Sequence, residues 1–256
     1  MTTAFYEAEG EIGHVVLNRP DRLNAINGAL LADLDRAFAT ANADPQTRAI
    51  IFRGNGRAFC SGDDLKEFDI QSQNADTIQR HIHAIQEITH RIMRSDKPVV
   101  GAVQGYAVGG GFEWMLNCDL VVAADDLVAF FPETEWGHFV TGGVTHLLPR
   151  AIGHLRAMEL LMLGERQTAD ALHRMGLLNR VVAGPDLLDT ARGLAAAICR
   201  KSAFSISRLK RTLHQDLGSE LWRALDIEER ITLEAFANPE ADARVQKFLD
   251  TRKPRA

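Results

Sequence analysis

Apolar residues occur along this chain either in short continuous runs or at helical spacing, and the order in which the two patterns alternate predicts its architecture. Ile12 to Leu17 is a β-branched run bounded by Gly10 and Pro20, and Ala49 to Phe52 is a short apolar run. Val99 to Val103 and Leu120 to Ala124 are two more, and all four read as strands. Between them the pattern changes. Asn27 to Asn42 puts Leu30, Leu31, Leu34, Phe38 and Ala41 on one helical face, ended by Asp44-Pro45. Ala75 to Arg94 carries Ile78, Ile82, Ile85, Ile88 and Ile92 in one stripe, stopped by Asp96-Lys97-Pro98. Strands and helices in alternation predict α/β layering, with glycine loops at equivalent ends.

Past Glu133 the pattern loosens. Residues 134–153 read as a loop with Gly137, Gly142 and Gly143, and helical spacing resumes near Leu147. Ala157 to Leu163 and Thr168 to Met175 are predicted helices, and Leu177 to Val182 a strand. From Pro185 the spacing is helical, with Leu221, Ala224, Leu225, Thr232, Ala235 and Phe236 largely on one face. We therefore divide the chain into a core, residues 1–195, and a helical region, residues 196–256, packed on that core or on a neighbouring subunit.

Composition narrows the function classes. The 256 residues are 46% hydrophobic and 25% charged, as in an ordinary soluble protein. A net charge of −5 speaks against nucleic acid or an anionic membrane as partner. Cys60, Cys118 and Cys199, an odd set without a CxxC pair, point to a reducing compartment. The first residues lack a basic stretch followed by an apolar one, and no apolar run reaches the ~20 residues that span a bilayer. The expected location is cytoplasmic.

Glycines mark the candidate chemistry. Gly109-Gly110-Gly111 joins the strand at Val99 to a helix expected from Phe112-Glu113. Lacking a Cβ, glycine lets a ligand approach the backbone, and the free N–H groups of a helix start favour negative charge. The triplet reads either as a tight turn or as a seat for an oxyanion. A second glycine loop, Gly54 to Gly62, follows the strand at Ala49.

Two segments carry a resemblance. AFCSGDDLKEF (Ala58 to Phe68) and QGYAVGGGFEWMLNCDLVVAADDLVAFFPE (Gln104 to Glu133) resemble the two signatures of the enoyl-CoA hydratase/isomerase (crotonase) superfamily. VVLNRPDRLNAIN near the start and FLDTRKPRA at the end are also similar to family patterns. The resemblance implies a spiral of repeated ββα turns with a C-terminal helical trimerisation region, assembled as a homotrimer or a dimer of trimers. It implies an acyl-CoA thioester as substrate, with coenzyme A part of that substrate and no metal or redox cofactor.

By the same resemblance, the backbone N–H groups of Asp63 and Gly110 form an oxyanion hole, and Glu113 and Glu133 face each other across a water as acid and base. Arg19, Leu23, Ala25, Ala58 and Lys66 fall in segments that line the CoA site in relatives, and Lys253 matches a lysine that reaches CoA phosphates. Lys253 also reads as a solvated tail residue. Asp63 departs from the small residue usual at its position, so its side chain is expected to point away. Trp136 and Phe139 are bulky where the family is modest, and either shape the acyl pocket or pack between subunits. His138 is a lone loop histidine, Thr141 replaces the aspartate of dehalogenases and dienoyl isomerases, and Asp119 reads as structural. Two matched glutamates favour a hydratase-type lyase. The alternatives are an enoyl-CoA Δ-isomerase, an acyl-CoA hydrolase or lyase, and a non-catalytic binding subunit.

Overall fold

The computed structural model describes residues 2–64 and 74–251. The chain opens with a hairpin, β1 (Ala4–Glu9) and β2 (Ile12–Leu17), followed by α1 (Gly28–Ala43), β3 (Ala49–Gly54) and α2 (Ala75–Met93). Next come β4 (Val99–Val103), β5 (Tyr106–Val108) and α3 (Gly110–Asn117). β6 (Leu120–Ala124), β7 (Val128–Phe130) and a one-turn helix, α4 (Glu133–Trp136), complete a further turn. The remainder is α5 (Val144–Ile152), α6 (His154–Leu163), β8 (Gln167–Thr168), α7 (Ala169–Arg174), β9 (Arg180–Val182), α8 (Leu187–Cys199), α9 (Ala203–Phe236) and α10 (Pro239–Thr251).

The larger sheet has the order β1-β2-β3-β4-β6-β9, antiparallel at β1–β2 and parallel elsewhere. The smaller is β5-β7-β8. Each turn of chain sends one strand to the large sheet, a short one to the small layer, and then a helix. β4, β5 and α3 make one such turn, and β6, β7 and α4 the next. The loop after β3 supplies its short segment at Cys60, which bridges Ala107 of β5 in parallel. This is the expected spiral of ββα turns.

Both faces of the central strands are covered, which is why they are continuous apolar runs rather than alternating ones. Successive side chains point to opposite faces. Thus Ala49, Ile51, Val100, Ala102, Val122 and Ala124 meet α8 through Leu187, Ala191, Ala195 and Cys199. Ile50, Phe52, Val99, Val103, Val121 and Ala123 face the main core with α1, α2 and α3. Phe52 anchors that core, edge-on to Phe38 at 5.1 Å and to Phe59 at 5.0 Å. The composition change near residue 196 falls inside α8. The described part of α9 and α10 packs on its own chain, against α2, α5 and α4.

Three expectations are revised. The edge strand β1 was not predicted, since Phe5 to Glu9 lacks an apolar run and is held by pairing with β2. α3 starts at Gly110 rather than Phe112, because Gly109 at φ 51° turns the chain directly into the helix. α5 starts at Val144, inside the predicted loop, and its cap comes from a distant segment described below.

Candidate active site

The two glycine loops lie side by side in one register. Cys60 N–H donates to Tyr106 O (2.9 Å) and Val108 N–H to Cys60 O (3.0 Å). Three residues past each member of the Cys60–Ala107 pair stand Asp63 and Gly110. Each follows a left-handed glycine, Gly62 at φ 81° and Gly109 at φ 51°, a conformation only glycine adopts without strain. Ile26 N–H to Gly62 O (2.8 Å) and Asp64 N–H to Ile26 O (2.8 Å) pin the first loop. Neither the Asp63 nor the Gly110 N–H donates to an acceptor among the described residues. Both residues line one cleft, part of it open to solvent.

The glycine triplet is required by what surrounds it. A Cβ on Gly109 would sit 2.5 Å from Glu133 Oε1, and one on Gly111 would sit 2.6 Å from Cys60 O. A Cβ on Gly110 would lie 2.9 Å from Ile26 Cδ1 and 4.0 Å from Glu113 Oε2. The triplet therefore leaves room for both glutamates and lets α3 start against Cys60.

Glu113 is 1% exposed, in the first turn of α3. Its Oε1 accepts from Thr141 N–H (2.8 Å) and its Oε2 from the Thr141 hydroxyl (2.9 Å). Burial pushes the Glu113 carboxyl up to about 7, aided by the charge of Glu228 and opposed by the Thr141 donors. Glu133 begins α4 and lines the cleft. Its Oε2 is out of solvent, with no hydrogen-bond partner among the described residues. Burial lifts its carboxyl well above the usual carboxylate range, and the negative charge of Glu113 lifts it further. Two neighbouring carboxyl groups in apolar surroundings disfavour double ionisation.

The rest of the cleft is largely apolar. Trp136 and Phe139 line it with Ile82, Ile85 and Phe236, so both bulky residues stand beside Glu133. His138 lines it too, its ring against Phe236 at 4.6 Å. The Asp63 side chain does not simply point away: Oδ1 pairs with His81 Nε2 at 3.0 Å, and both residues line the cleft. Thr141 also belongs to the wall, whereas Glu113 lies behind it.

Other expected contacts separate. Arg19 directs its guanidinium inward, Nη1 to Ala25 O (2.5 Å) and Nη2 to Asp64 Oδ2 (3.1 Å). Leu23 and Ala25 form the turn against the first glycine loop, where Leu23 O accepts from Ser61 N–H (3.1 Å). Ala58 is buried, its carbonyl accepting from Asn24 Nδ2 (2.9 Å). Lys66 and Lys253 lie outside the described residues. Asp119 is structural: it accepts from Val99 N–H (2.7 Å) and pairs with Lys210 Nζ (2.6 Å). Among the described residues, no group of three or more metal-ligating side chains converges, and no helix is long and apolar enough to cross a membrane.

Sequence reasoning missed the residues that hold the site together: Thr141 on Glu113, His81 on Asp63, and Gln86, Asn117 and Glu228 on the 141–145 segment. Glu228 could have been found, since it falls in the Leu221, Leu225, Thr232 stripe as a charged residue on an apolar face.

Comparisons with known proteins concern the chain as a whole. The family model described as enoyl-CoA hydratase/isomerase matches residues 7–255. A probable enoyl-CoA hydratase of Rhizobium meliloti is 32% identical over 251 residues, covering 98% of this chain and 96% of the relative. A mevalonyl-coenzyme A hydratase of Aspergillus fumigatus is 33% identical, covering 94% of this chain and 89% of its own. The crystal structure of an enoyl-CoA hydratase/isomerase from Mycobacterium paratuberculosis superposes with a TM-score of 0.89 at 30% identity, covering 96% and 98% of the two chains.

Proposed function

The chain belongs to the enoyl-CoA hydratase/isomerase family, and on that premise we propose a hydratase-type lyase that adds water across the double bond of an α,β-unsaturated acyl-CoA thioester. The observation that carries this reading is the placement of the Glu113 and Glu133 carboxyl groups around the glycine triplet, beside the Asp63 and Gly110 N–H groups that donate to no acceptor among the described residues. The thioester oxygen accepts from Asp63 and Gly110 N–H, where negative charge accumulates as water attacks Cβ. Preorganised donors aimed at such a charge are typically worth ~10²–10³ in rate each. Glu113, whose anion has two Thr141 donors, is the better stabilised carboxylate and takes the proton of the attacking water. Glu133, without a partner on Oε2, holds the shared proton and delivers it to Cα. Oxygen goes to Cβ and hydrogen to Cα, and the pair resets by proton exchange.

The addition is redox-neutral, so this mechanism asks for no redox group, and coenzyme A arrives with the substrate. Trp136, Phe139 and Phe236 form the acyl side of the cleft in this reading. Leu23, Ala25 and Ala58 support the CoA side through backbone placement, Arg19 supports it from inside, and Lys66 and Lys253 are its candidate phosphate contacts. Exposed Leu155, Met162, Leu163, Phe204, Leu209 and Leu213 support assembly as a trimer or a dimer of trimers. Free Cys60, Cys118 and Cys199 support a cytoplasmic location.

One observation favours a Δ-isomerase instead: Glu133 lines the cleft while Glu113 stands behind Thr141. Reaction in ¹⁸O-water with 2-enoyl- and 3-enoyl-CoA esters decides between them. A hydratase places ¹⁸O in its product; migration of the double bond without label overturns the hydratase reading.

A further inference from the structure

The segment 141–145 carries the group that holds Glu113, and most of what positions it comes from elsewhere in the chain. Gly143 is the N-cap of α5 at φ 76° and offers no side chain to the first N–H groups of that helix. Glu228 of α9 supplies the missing acceptor. Its Oε2 accepts from Gly143 N–H (2.7 Å), and its Oε1 accepts from Thr145 N–H (2.9 Å) and the Thr145 hydroxyl (2.6 Å). A carboxylate at a helix start satisfies orphan donors and meets the positive end of the helix dipole. Glu228 is 0% exposed, so three donors on two oxygens are what make its burial tolerable.

Two further ties act on the same segment. Gln86 Nε2 donates to Thr141 O (3.2 Å) and to Leu225 O of α9 (2.9 Å). Asn117 Nδ2 donates to Gly142 O (3.0 Å), and its Oδ1 accepts from the Thr89 hydroxyl (2.8 Å). With Gly142 and Gly143 thus held, Thr141 presents both its N–H and its hydroxyl to Glu113. Gly142 has no room for a Cβ, which would lie 2.6 Å from Glu113 Cβ.

We propose that Glu228 is a positioning residue for the reaction, a buried carboxylate of α9 that fixes the 141–145 segment and, through Thr141, the proton-accepting geometry of Glu113. It touches neither substrate nor the reacting atoms. Its charge also reaches Glu113 directly and adds to that carboxyl's hold on its proton. The inference rests on the reading of Glu113 as base.

The test is steady-state hydration kinetics, with pH profiles, on full-length Glu228→Gln, Thr145→Val and Glu113→Gln enzymes. Glu228→Gln keeps shape and one acceptor but removes the charge. Its kcat should fall about tenfold or more with KM within about twofold, the pattern of a lost transition-state contribution. The acid limb of its kcat profile should move to lower pH, since a nearby negative charge that favoured the protonated Glu113 is gone. Thr145→Val removes one donor and leaves the charge, so kcat should fall while the acid limb does not move down. This second variant serves where Glu228→Gln does not fold. An unmoved profile and near wild-type kcat in folded Glu228→Gln would overturn the proposal, as would unchanged kcat in Thr145→Val where only that variant folds. Glu113→Gln separates the two readings. If it stays active, the assignment of Glu113 fails; if it is inactive while Glu228→Gln and Thr145→Val match wild type, only the role of Glu228 fails.

Discussion

At Gly109 a single methyl group would land 2.5 Å from Glu133 Oε1, on a backbone at φ 51°. Gly109→Ala should therefore displace the carboxyl and the adjacent N–H together, cutting kcat by about 10²-fold with a smaller change in KM. Kinetics on protein whose circular dichroism matches wild type checks this. Glu113→Ala and Glu133→Ala should each lower hydration by about 10²-fold or more, and the double variant should lose much less than the product of the two. Equal additivity in that cycle would mean that the glutamates do not act as a unit. The shifted carboxyls also couple activity and stability to pH. Activity needs Glu113 ionised, so kcat should rise through an acid limb near 7. For stability the sign is opposite. A carboxyl whose folded value lies above its ordinary 4.5 binds more protons folded than unfolded, so its contribution falls as pH rises above about 4.5. Glu133→Gln should remove part of that loss, so that the melting temperature of the variant gains on wild type between pH 5 and pH 8. A gap that does not widen with pH would show that Glu133 is not buried as a carboxylic acid.

Among the elements, α9 does more than cover the core. It lends Glu228 to the start of α5, Thr232 and Phe236 to the cleft, and Lys210 to a buried ion pair with Asp119. Lys210 Nζ also donates to Ile92 O (2.9 Å) and Lys97 O (3.1 Å), so its charge is satisfied only while Asp119 is present. Asp119→Ala leaves that ammonium buried without a counter-charge and should destabilise the fold by about 3–5 kcal/mol, as breaking a buried pair does. Urea unfolding measures it. A loss below about 1 kcal/mol would show that Lys210 swings to solvent. Across the cleft, α4 carries Trp136. Trp136→Ala should shift preference toward longer or wider acyl groups through kcat/KM, and a uniform change over a panel of esters would remove Trp136 from the acyl pocket.

For the molecule as a whole, the described helices leave large apolar side chains in water. Leu155, Met162 and Leu163 on α6 are 83%, 63% and 61% exposed, and Phe204 at the start of α9 is 70% exposed. Exposed apolar side chains of this kind are what an interface between copies of the chain would cover. Sedimentation of the full chain should show an assembly of at least three copies. A chain truncated before Ser202 should be monomeric or insoluble and without hydratase activity, because it also lacks Glu228, Thr232 and Phe236. A soluble, active truncated monomer would refute both the assembly and the place of α9 in the site.

Much of this was legible in the residues themselves. Short continuous apolar runs located the buried strands, and the 3.6-residue period located the long helices, since local geometry decides which side chains share a helical face. The helices expected from Asn27 and from Ala75 start there because Asn27 and Asn74 cap them with their own side chains. The two glycine loops were visible as loops for the same local reason, and the motifs within them pointed to Glu113, Glu133 and the two N–H donors. What the chain could not display is any contact whose partner lies far along it. β1 forms because β2 pairs with it, and α5 begins where it does because Glu228, 83 residues from Thr145, caps it. The lifted carboxyls of Glu113 and Glu133 come from burial and from a neighbouring charge, that of Glu228 on Glu113 and that of Glu113 on Glu133, properties of the folded surroundings rather than of a glutamate. Local propensity writes the elements and the glycine turns into the sequence; only tertiary packing decides which protons those elements hold.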